Sequence, residues 1–144
     1  MTTDFAGRFG AGDATKDINK AAAGDGKLHK VEGDLGTIMA GLSCGEPCTV
    51  GWEMLRRYAD HFVSAPDEIA EKGMRLLAKP AAGDALIVSG ESGAVTVGLF
   101  AELMENEQLS GLREAIGLGP DSKVLCISTE GDTDRESYSR IVHG

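Results

Sequence analysis

Two short apolar runs constrain the fold of this chain most, because each passes directly into a polar loop and then into a helical pattern. They are ALIVS at 85–89 and KVLCIS at 123–128, and a weaker run, HFVS, lies at 61–64. Apolar runs of this length that are bounded by turn residues are typical of buried strands. Strands that alternate with helices indicate an α/β architecture, so we predict one largely parallel sheet with helices packed on it.

The segments between these runs carry apolar residues at helical spacing. We predict four helices and a last short one, near 49–60, 66–79, 92–105, 108–117 and 134–142. Thr49 is a plausible N-cap for the first helix, and the glycine at 117 begins the segment that ends the fourth. The large apolar side chains that we expect to be buried are Trp52, Phe62, Leu99, Phe100, Leu103 and Ile127.

Charge and composition exclude several classes of partner. The net charge is −9, and a face that binds nucleic acid or an anionic membrane needs clustered lysine and arginine, so we expect neither partner. No apolar run approaches 18 residues, and the first ten residues lack the charged-then-apolar order of a secretory signal. We therefore expect a cytoplasmic protein. The glycine-rich residues 1–36 are expected to be loop-like, with weak helix at most around 14–23.

The three cysteines do not indicate a metal centre. Cys44 and Cys48 stand four residues apart in CGEPC, but the chain has no second cysteine pair, and its nearest histidines lie on unrelated segments. Zinc needs four converging ligands. An odd number of cysteines fits reduced thiols better than a disulfide framework, so we interpret them as structural thiols and expect no metal.

Two polar loops are the candidate functional features of the chain. The first polar loop, 89–93, follows one apolar run, and the second polar loop, 128–132, follows the other. Ligands of open α/β sheets bind beyond the carboxyl ends of strands, so the two loops are candidates for one shared pocket. The alternative is that their polar residues only cap the following helices, with Ser89 or Ser92 capping one helix and Asp132 or Thr133 the other.

The residues of these loops leave their chemistry open. Neither loop has the spacing of a phosphate-binding glycine motif, and no histidine lies in either of them. Glu91, Glu130, Asp132 and Asp134 are able to serve as acid or base or to hold a cation. Spacing along the sequence does not choose between these roles.

Three motifs, taken in order, resemble the C-terminal part of the diaminopropionate ammonia-lyase family. They are GDLGTIMAGLSCGEP at 33–47, SGESGAV at 89–95 and ISTEGDTD at 127–134. The resemblance covers about residues 21–143, so we divide the chain into an unassigned arm, 1–20, and a lyase-like part, 21–144. It implies a three-layer, parallel-sheet piece of the tryptophan synthase β-like fold, which is fold type II of the pyridoxal-phosphate enzymes.

The same resemblance implies an activity and a set of site residues. The activity is α,β-elimination of 2,3-diaminopropionate to pyruvate and ammonia, with pyridoxal phosphate as cofactor and a homodimeric parent enzyme. The Ser128 hydroxyl would contact the pyridine nitrogen of the cofactor. The other residues expected to line the cofactor are Thr129, Gly90, Glu91, Ser92 and Gly93. Those expected on the side of the amino-acid substrate are Gly41, Leu42 and Asp132.

One departure from the family limits what the chain can do alone. The family's Schiff-base lysine and its glycine-rich phosphate loop belong to the N-terminal part of the enzyme, and none of the seven lysines here has the matching context. We therefore expect a fragment that has no catalytic lysine and no turnover by itself. Two alternatives stay open: a non-catalytic small-molecule-binding or interaction module that keeps the late strands, and an unrelated α/β domain whose loops are only caps.

Overall fold

The computed structural model describes residue 30, residues 35–46 and residues 48–144. The unassigned arm and the weak helix expected around 14–23 lie outside the described residues. The chain divides into two units, one comprising Met1–Thr37 with Ser43–Pro66 and the other Ile38–Leu42 with Asp67–Gly144. Both polar loops belong to the second unit.

The described part of the chain is helical. Its five α-helices are α1 (Thr49–Tyr58), α2 (Asp67–Ala78), α3 (Glu91–Glu105), α4 (Ser110–Ala115) and α5 (Arg135–His143). Two 3₁₀ helices accompany them, Ala40–Leu42 and Glu107–Leu109. Each predicted helix is confirmed to within a few residues. None of the described helices is long and apolar enough to cross a membrane.

No strand occurs among the described residues, so the predicted parallel-sheet α/β fold class is wrong for this part of the chain. Residues 85–89 and 123–128 are non-helical, but they are not paired with each other or with 61–64. Within the described residues, the backbone of 123–127 makes no hydrogen bond, and Leu125 is 85% and Ile127 65% exposed. A strand needs a neighbour to bond its backbone and cover its faces, and the described residues provide none for these runs.

In the first unit, α1 buries much less than its pattern predicts. Trp52 is buried, as predicted, but Leu55 and Tyr58 of the same helix are exposed. Thr49 is the first helical residue instead of the N-cap, which is Cys48, and the Cys48 side chain makes no capping hydrogen bond. Phe62 is half-buried in the extended segment that follows, so its predicted burial is confirmed only in part.

The core of the second unit lies where α2, α3 and α5 meet. Its buried members are Met74 of α2, Ala94 of α3, and Ile141 and Val142 of α5. Acidic residues stand in the first turn of α2 and Arg75 in its last, which complements the helix dipole. This core holds the first turn of α3, and hence the first polar loop, in place.

Glycines allow α2 and α3 to cross at very close range. A Cβ atom built on Gly73 would strike the carbonyl oxygen of Ala94, and one built on Gly98 would strike the carbonyl oxygen of Ile69. Hence no side chain fits at either position without moving a backbone. Leu103 is buried as predicted, whereas Leu99 and Phe100 are half-buried.

The end of α4 confirms the stop expected at Gly117. Gly117 has a φ of 71°, and its N–H donates to the carbonyl oxygen of Glu114 at 3.0 Å. The N–H of Leu118 donates to the carbonyl oxygen of Arg113 at 3.0 Å, which satisfies a second carbonyl of the last turn. A left-handed residue after the last helical turn is the usual position for glycine.

Candidate functional site

The two polar loops meet, although the described residues form no sheet that would align them. The hydroxyl oxygens of Ser89 and Ser128 lie 2.7 Å apart and share a hydrogen bond. The N–H of Gly90 donates to the carbonyl oxygen of Glu130 at 3.0 Å, so backbone also joins the loops. Paired strand ends therefore do not align the loops, but the predicted approach of the two loops is confirmed by direct contacts.

The second polar loop caps the helix that follows the first. Gly90 is the N-cap of α3 and has no side chain, and the Ser92 N–H in the first turn donates to the Glu130 carboxylate at 2.7 Å. A carboxylate at this position satisfies a free amide and complements the positive end of the helix dipole. The proposed capping of α3 by Ser89 or Ser92 is therefore wrong, because the cap comes from 38 residues further along the chain.

The cap of α5 is local, but it is not one of the two residues considered. Asp134 is the N-cap, and its carboxylate accepts a hydrogen bond from the N–H of Ser137 at 3.0 Å. Asp132 instead lies 3.8 Å from the guanidinium of Arg135, and the Thr133 hydroxyl donates a long hydrogen bond to the Glu130 carboxylate at 3.5 Å. Glu130 therefore caps α3 and Asp134 caps α5, whereas Asp132 faces Arg135.

Glycines in the first polar loop make the close approach possible. A Cβ atom on Gly93 would lie 2.6 Å from the Ser89 hydroxyl oxygen and 2.7 Å from that of Ser128. A Cβ atom on Gly90 would strike the carbonyl oxygen of Gly131 and lie 2.8 Å from the Glu130 side chain. Any larger residue would push the loops apart, so the serine pair depends on these two glycines.

The 3₁₀ helix Ala40–Leu42 joins the same cluster. The N–H of Gly41 donates to the Ser92 hydroxyl at 3.1 Å, and a Cβ atom on Gly41 would lie 2.9 Å from that oxygen. Leu42 is exposed at the end of this short helix. The segment assigned to the substrate side is thus brought to the first turn of α3, where the two polar loops meet.

Glu91 lies on the other side of this turn, against α5. It is 7% exposed, and its carboxylate accepts a hydrogen bond from the Ser137 hydroxyl at 2.8 Å. The Ser137 hydroxyl in turn accepts one from the Arg140 guanidinium at 3.1 Å. Thr129 is exposed, and within the described residues its side chain makes no hydrogen bond. The roles of Glu91 and Thr129 towards a cofactor stay predictions.

Sequence reasoning missed the long-range partners of the site. Ser137 was not considered at all, and Ser89 and Glu130 were considered only as a cap and as a possible acid or base. Their contacts join residues 38 to 46 positions apart in sequence. No local pattern encodes such a pairing; the only usable signal was that both loops carry small residues next to apolar runs.

The thiols and the acidic residues form no further site in the described part of the chain. Cys44 and Cys48 are exposed and Cys126 is half-buried, and all three are free thiols. Among the described residues, no three histidine, cysteine, aspartate or glutamate side chains lie together in a way that would hold a metal ion.

Known proteins similar to this chain include two bacterial diaminopropionate ammonia-lyases. No family model matches it. The diaminopropionate ammonia-lyase of Escherichia coli strain K12 is 49% identical over 117 residues, which are 81% of this chain and 29% of that enzyme. The Salmonella typhimurium LT2 enzyme of the same name is 48% identical over 123 residues, 85% of this chain and 30% of that enzyme. The chain thus spans about three tenths of the length of these curated relatives.

Solved structures agree with the sequence comparison. The E. coli enzyme in complex with an aminoacrylate–PLP azomethine reaction intermediate matches with a TM-score of 0.71 and 50% identity, over 74% of this chain and 28% of that one. Its complex with D-serine matches with a TM-score of 0.69 and 48% identity, over 72% and 27%. In sequence and in structure, the chain therefore matches part of a diaminopropionate ammonia-lyase, as its three motifs predicted.

Proposed function

We propose that this chain supplies one side of the pyridoxal-phosphate pocket of a diaminopropionate ammonia-lyase. The observation that carries the proposal is the 2.7 Å contact between the Ser89 and Ser128 hydroxyls, beside a Gly93 that has no side chain to obstruct it. The similar E. coli enzyme was solved with an intermediate that contains PLP, which supports the choice of cofactor.

The residues present fit the pyridine edge of that cofactor. Ser128 is exposed, and its hydroxyl has three hydrogen-bonding positions, one hydrogen and two lone pairs. The bond with Ser89 uses one of these three positions. A further position is left for the ring nitrogen. We propose that Gly90, Ser92, Gly93 and Thr129 line this edge, and that Glu91 holds the first turn of α3 against α5.

When bound, pyridoxal phosphate supplies the electron sink for the carbanion of α,β-elimination. Ser128 has the task of holding the ring nitrogen by a hydrogen bond. A neutral hydroxyl does not hold a proton on that nitrogen as a carboxylate would, because it has no charge to offer. Gly41 and Leu42, at the first turn of α3, and Asp132 in the second polar loop are proposed to face the substrate, 2,3-diaminopropionate.

We propose that none of the lysines among the described residues is the reacting lysine. Lys72 is engaged by Glu102 at 2.7 Å and by Glu105 at 2.6 Å, and in the described part of the chain no lysine makes a hydrogen bond or ion pair with either polar loop. We propose that the reacting lysine and the phosphate site come from the rest of a lyase chain, so this chain alone has no turnover. We further propose a cytoplasmic, homodimeric parent enzyme.

A chimera tests the proposal. In the E. coli lyase, the matching segment is replaced by that of this chain; the chimera should bind pyridoxal phosphate and release pyruvate from 2,3-diaminopropionate, while the chain alone should not. Ser128→Ala removes one hydrogen bond of about 1 kcal/mol, so cofactor affinity should fall about fivefold. Ser139→Ala, an exposed hydroxyl on α5, is the matched control. Unchanged cofactor affinity in Ser128→Ala would refute the assignment.

A further inference from the structure

The Ser89 hydroxyl is the most enclosed polar group of the site. Its residue is 1% exposed, and its hydroxyl oxygen lies 2.7 Å from the Ser128 hydroxyl and 3.3 Å from the Gly90 carbonyl oxygen. Water does not reach a group so deeply buried, so no solvent molecule replaces the bond with Ser128 if it is lost.

We propose that Ser89 is a positioning residue, which fixes the rotamer and the proton direction of the Ser128 hydroxyl for the cofactor ring nitrogen. This inference rests on the proposed function, since it gives Ser128 its ligand. Ser89 does not itself touch the cofactor in this proposal. It acts only through the hydroxyl of Ser128.

The direction of the serine–serine hydrogen bond decides what Ser128 offers. If Ser128 donates to Ser89, the Ser89 hydrogen turns to the Gly90 carbonyl oxygen at 3.3 Å, and Ser128 offers only lone pairs. If Ser89 donates to Ser128, the Ser128 hydrogen is left with the Glu130 carbonyl oxygen at 3.4 Å. Both of these second bonds are long for O–H···O contacts. Either chain of bonds therefore satisfies the buried Ser89 without fixing the direction.

The Ser128 hydrogen would have a better acceptor than the carbonyl oxygen at 3.4 Å if the ring nitrogen of a bound cofactor were unprotonated. The direction from Ser89 to Ser128 would then be favoured, with Ser89 donating to Ser128 and Ser128 donating to the ring. Gly93 is needed for this chain of bonds, because a Cβ atom there would lie against both hydroxyls.

A double-mutant cycle in the chimera tests the inference. Ser89→Ala and Ser128→Ala should each weaken pyridoxal-phosphate binding by about threefold to tenfold, the equivalent of one hydrogen bond. Because Ser89 acts only through Ser128, adding Ser89→Ala to Ser128→Ala should change the cofactor affinity no further. Ser89→Cys fills nearly the same space with a weak donor, so it should reproduce the loss of affinity if Ser89→Ala does not fold.

Three readouts separate the possible outcomes. Cofactor affinity and the pH dependence of the visible absorbance of the loaded enzyme should change in Ser89→Ala, and Ser139→Ala should change neither. A lower melting temperature of the apoenzyme with unchanged affinity would assign Ser89 a purely structural role and overturn the inference. Additive losses in the double variant would overturn it as well. If the unmodified chimera binds no cofactor, or Ser128→Ala has no effect, the proposed function fails and this inference with it.

Discussion

Replacing Gly98 by alanine should destabilise the second unit, because the crossing of α2 and α3 leaves no room for a side chain. The new Cβ atom would overlap the carbonyl oxygen of Ile69 and lie 2.9 Å from the backbone nitrogen of Gly73. Comfortable contacts between non-bonded heavy atoms are about 3.5–4.0 Å. The obstructing atoms are backbone, so a change of rotamer does not relieve the contact and the two helices must separate.

The expected magnitude follows from two opposing effects. Overpacking of a core typically costs about 1–3 kcal/mol, and the upper part of this range applies where backbone must move. Alanine gains about 1 kcal/mol over glycine in a helix interior. The free energy of unfolding should therefore fall by about 2 kcal/mol. Separation of the helices would also loosen the packing of Met74 against Ala94 in the core.

Gly111→Ala provides the matched control. Gly111 lies within α4, and a Cβ atom built on it has open space around it. Only the helix-propensity gain then applies, so this variant should be more stable than the parent chain by up to about 1 kcal/mol. Urea unfolding followed by far-ultraviolet circular dichroism measures both. If Gly98→Ala were as stable as Gly111→Ala, the close crossing of α2 and α3 would be refuted.

Two further predictions concern charge and exposed apolar surface. Hydrogen bonds from Lys72 and Asn106 lower the pKa of Glu102, and those with Glu102 and Glu105 raise the pKa of Lys72. The contribution of Glu102 to the free energy of unfolding should be present above about pH 4.3 and lost as the pH falls through the lowered pKa of Glu102. The contribution of Lys72 should be complete below about pH 10.4 and lost as the pH rises through the raised pKa of Lys72. Lys72→Met should therefore lower the free energy of unfolding by about 0.5–1 kcal/mol near neutral pH. It should not change this free energy at the acidic or the basic extreme of pH, and urea unfolding measures both. Leu125→Lys should reduce self-association of the isolated chain in analytical ultracentrifugation without changing its helix content, because Leu125 is 85% exposed.

The helices were predictable from sequence because their signals are local. Apolar spacing located α2 and α3, and the left-handed glycine at 117 located the end of α4. The apolar runs at 85–89 and 123–128 predict strands, because short apolar runs bounded by turn residues are typical of buried strands. A strand needs a neighbouring strand to be buried, and the sequence of an apolar run does not show whether such a neighbour is present.

The site was predictable as a pair of loops but not as a set of contacts. Small and acidic residues next to both apolar runs indicated where the loops lie. The partner of each group was not predictable, because Glu130 caps a helix that begins 39 positions earlier and Ser137 reaches Glu91. The sequence therefore identified Ser128 and Gly93 as candidates, whereas the enclosed position of Ser89 required the structure.

The two loops meet although no strand occurs among the described residues, which indicates what holds the candidate site together. Backbone and side-chain bonds from Glu130 fix the second polar loop to the first turn of α3, and the bond between Ser137 and Glu91 fixes that same turn to α5. Polar contacts to the second polar loop and to α5 thus hold the first turn of α3, and the packing of Ala94 in the core holds it as well. Because these contacts all lie within the second unit, the serine pair does not depend on strand pairing for its geometry. Under the proposed function, this side of the pocket is therefore preorganised by contacts within the second unit.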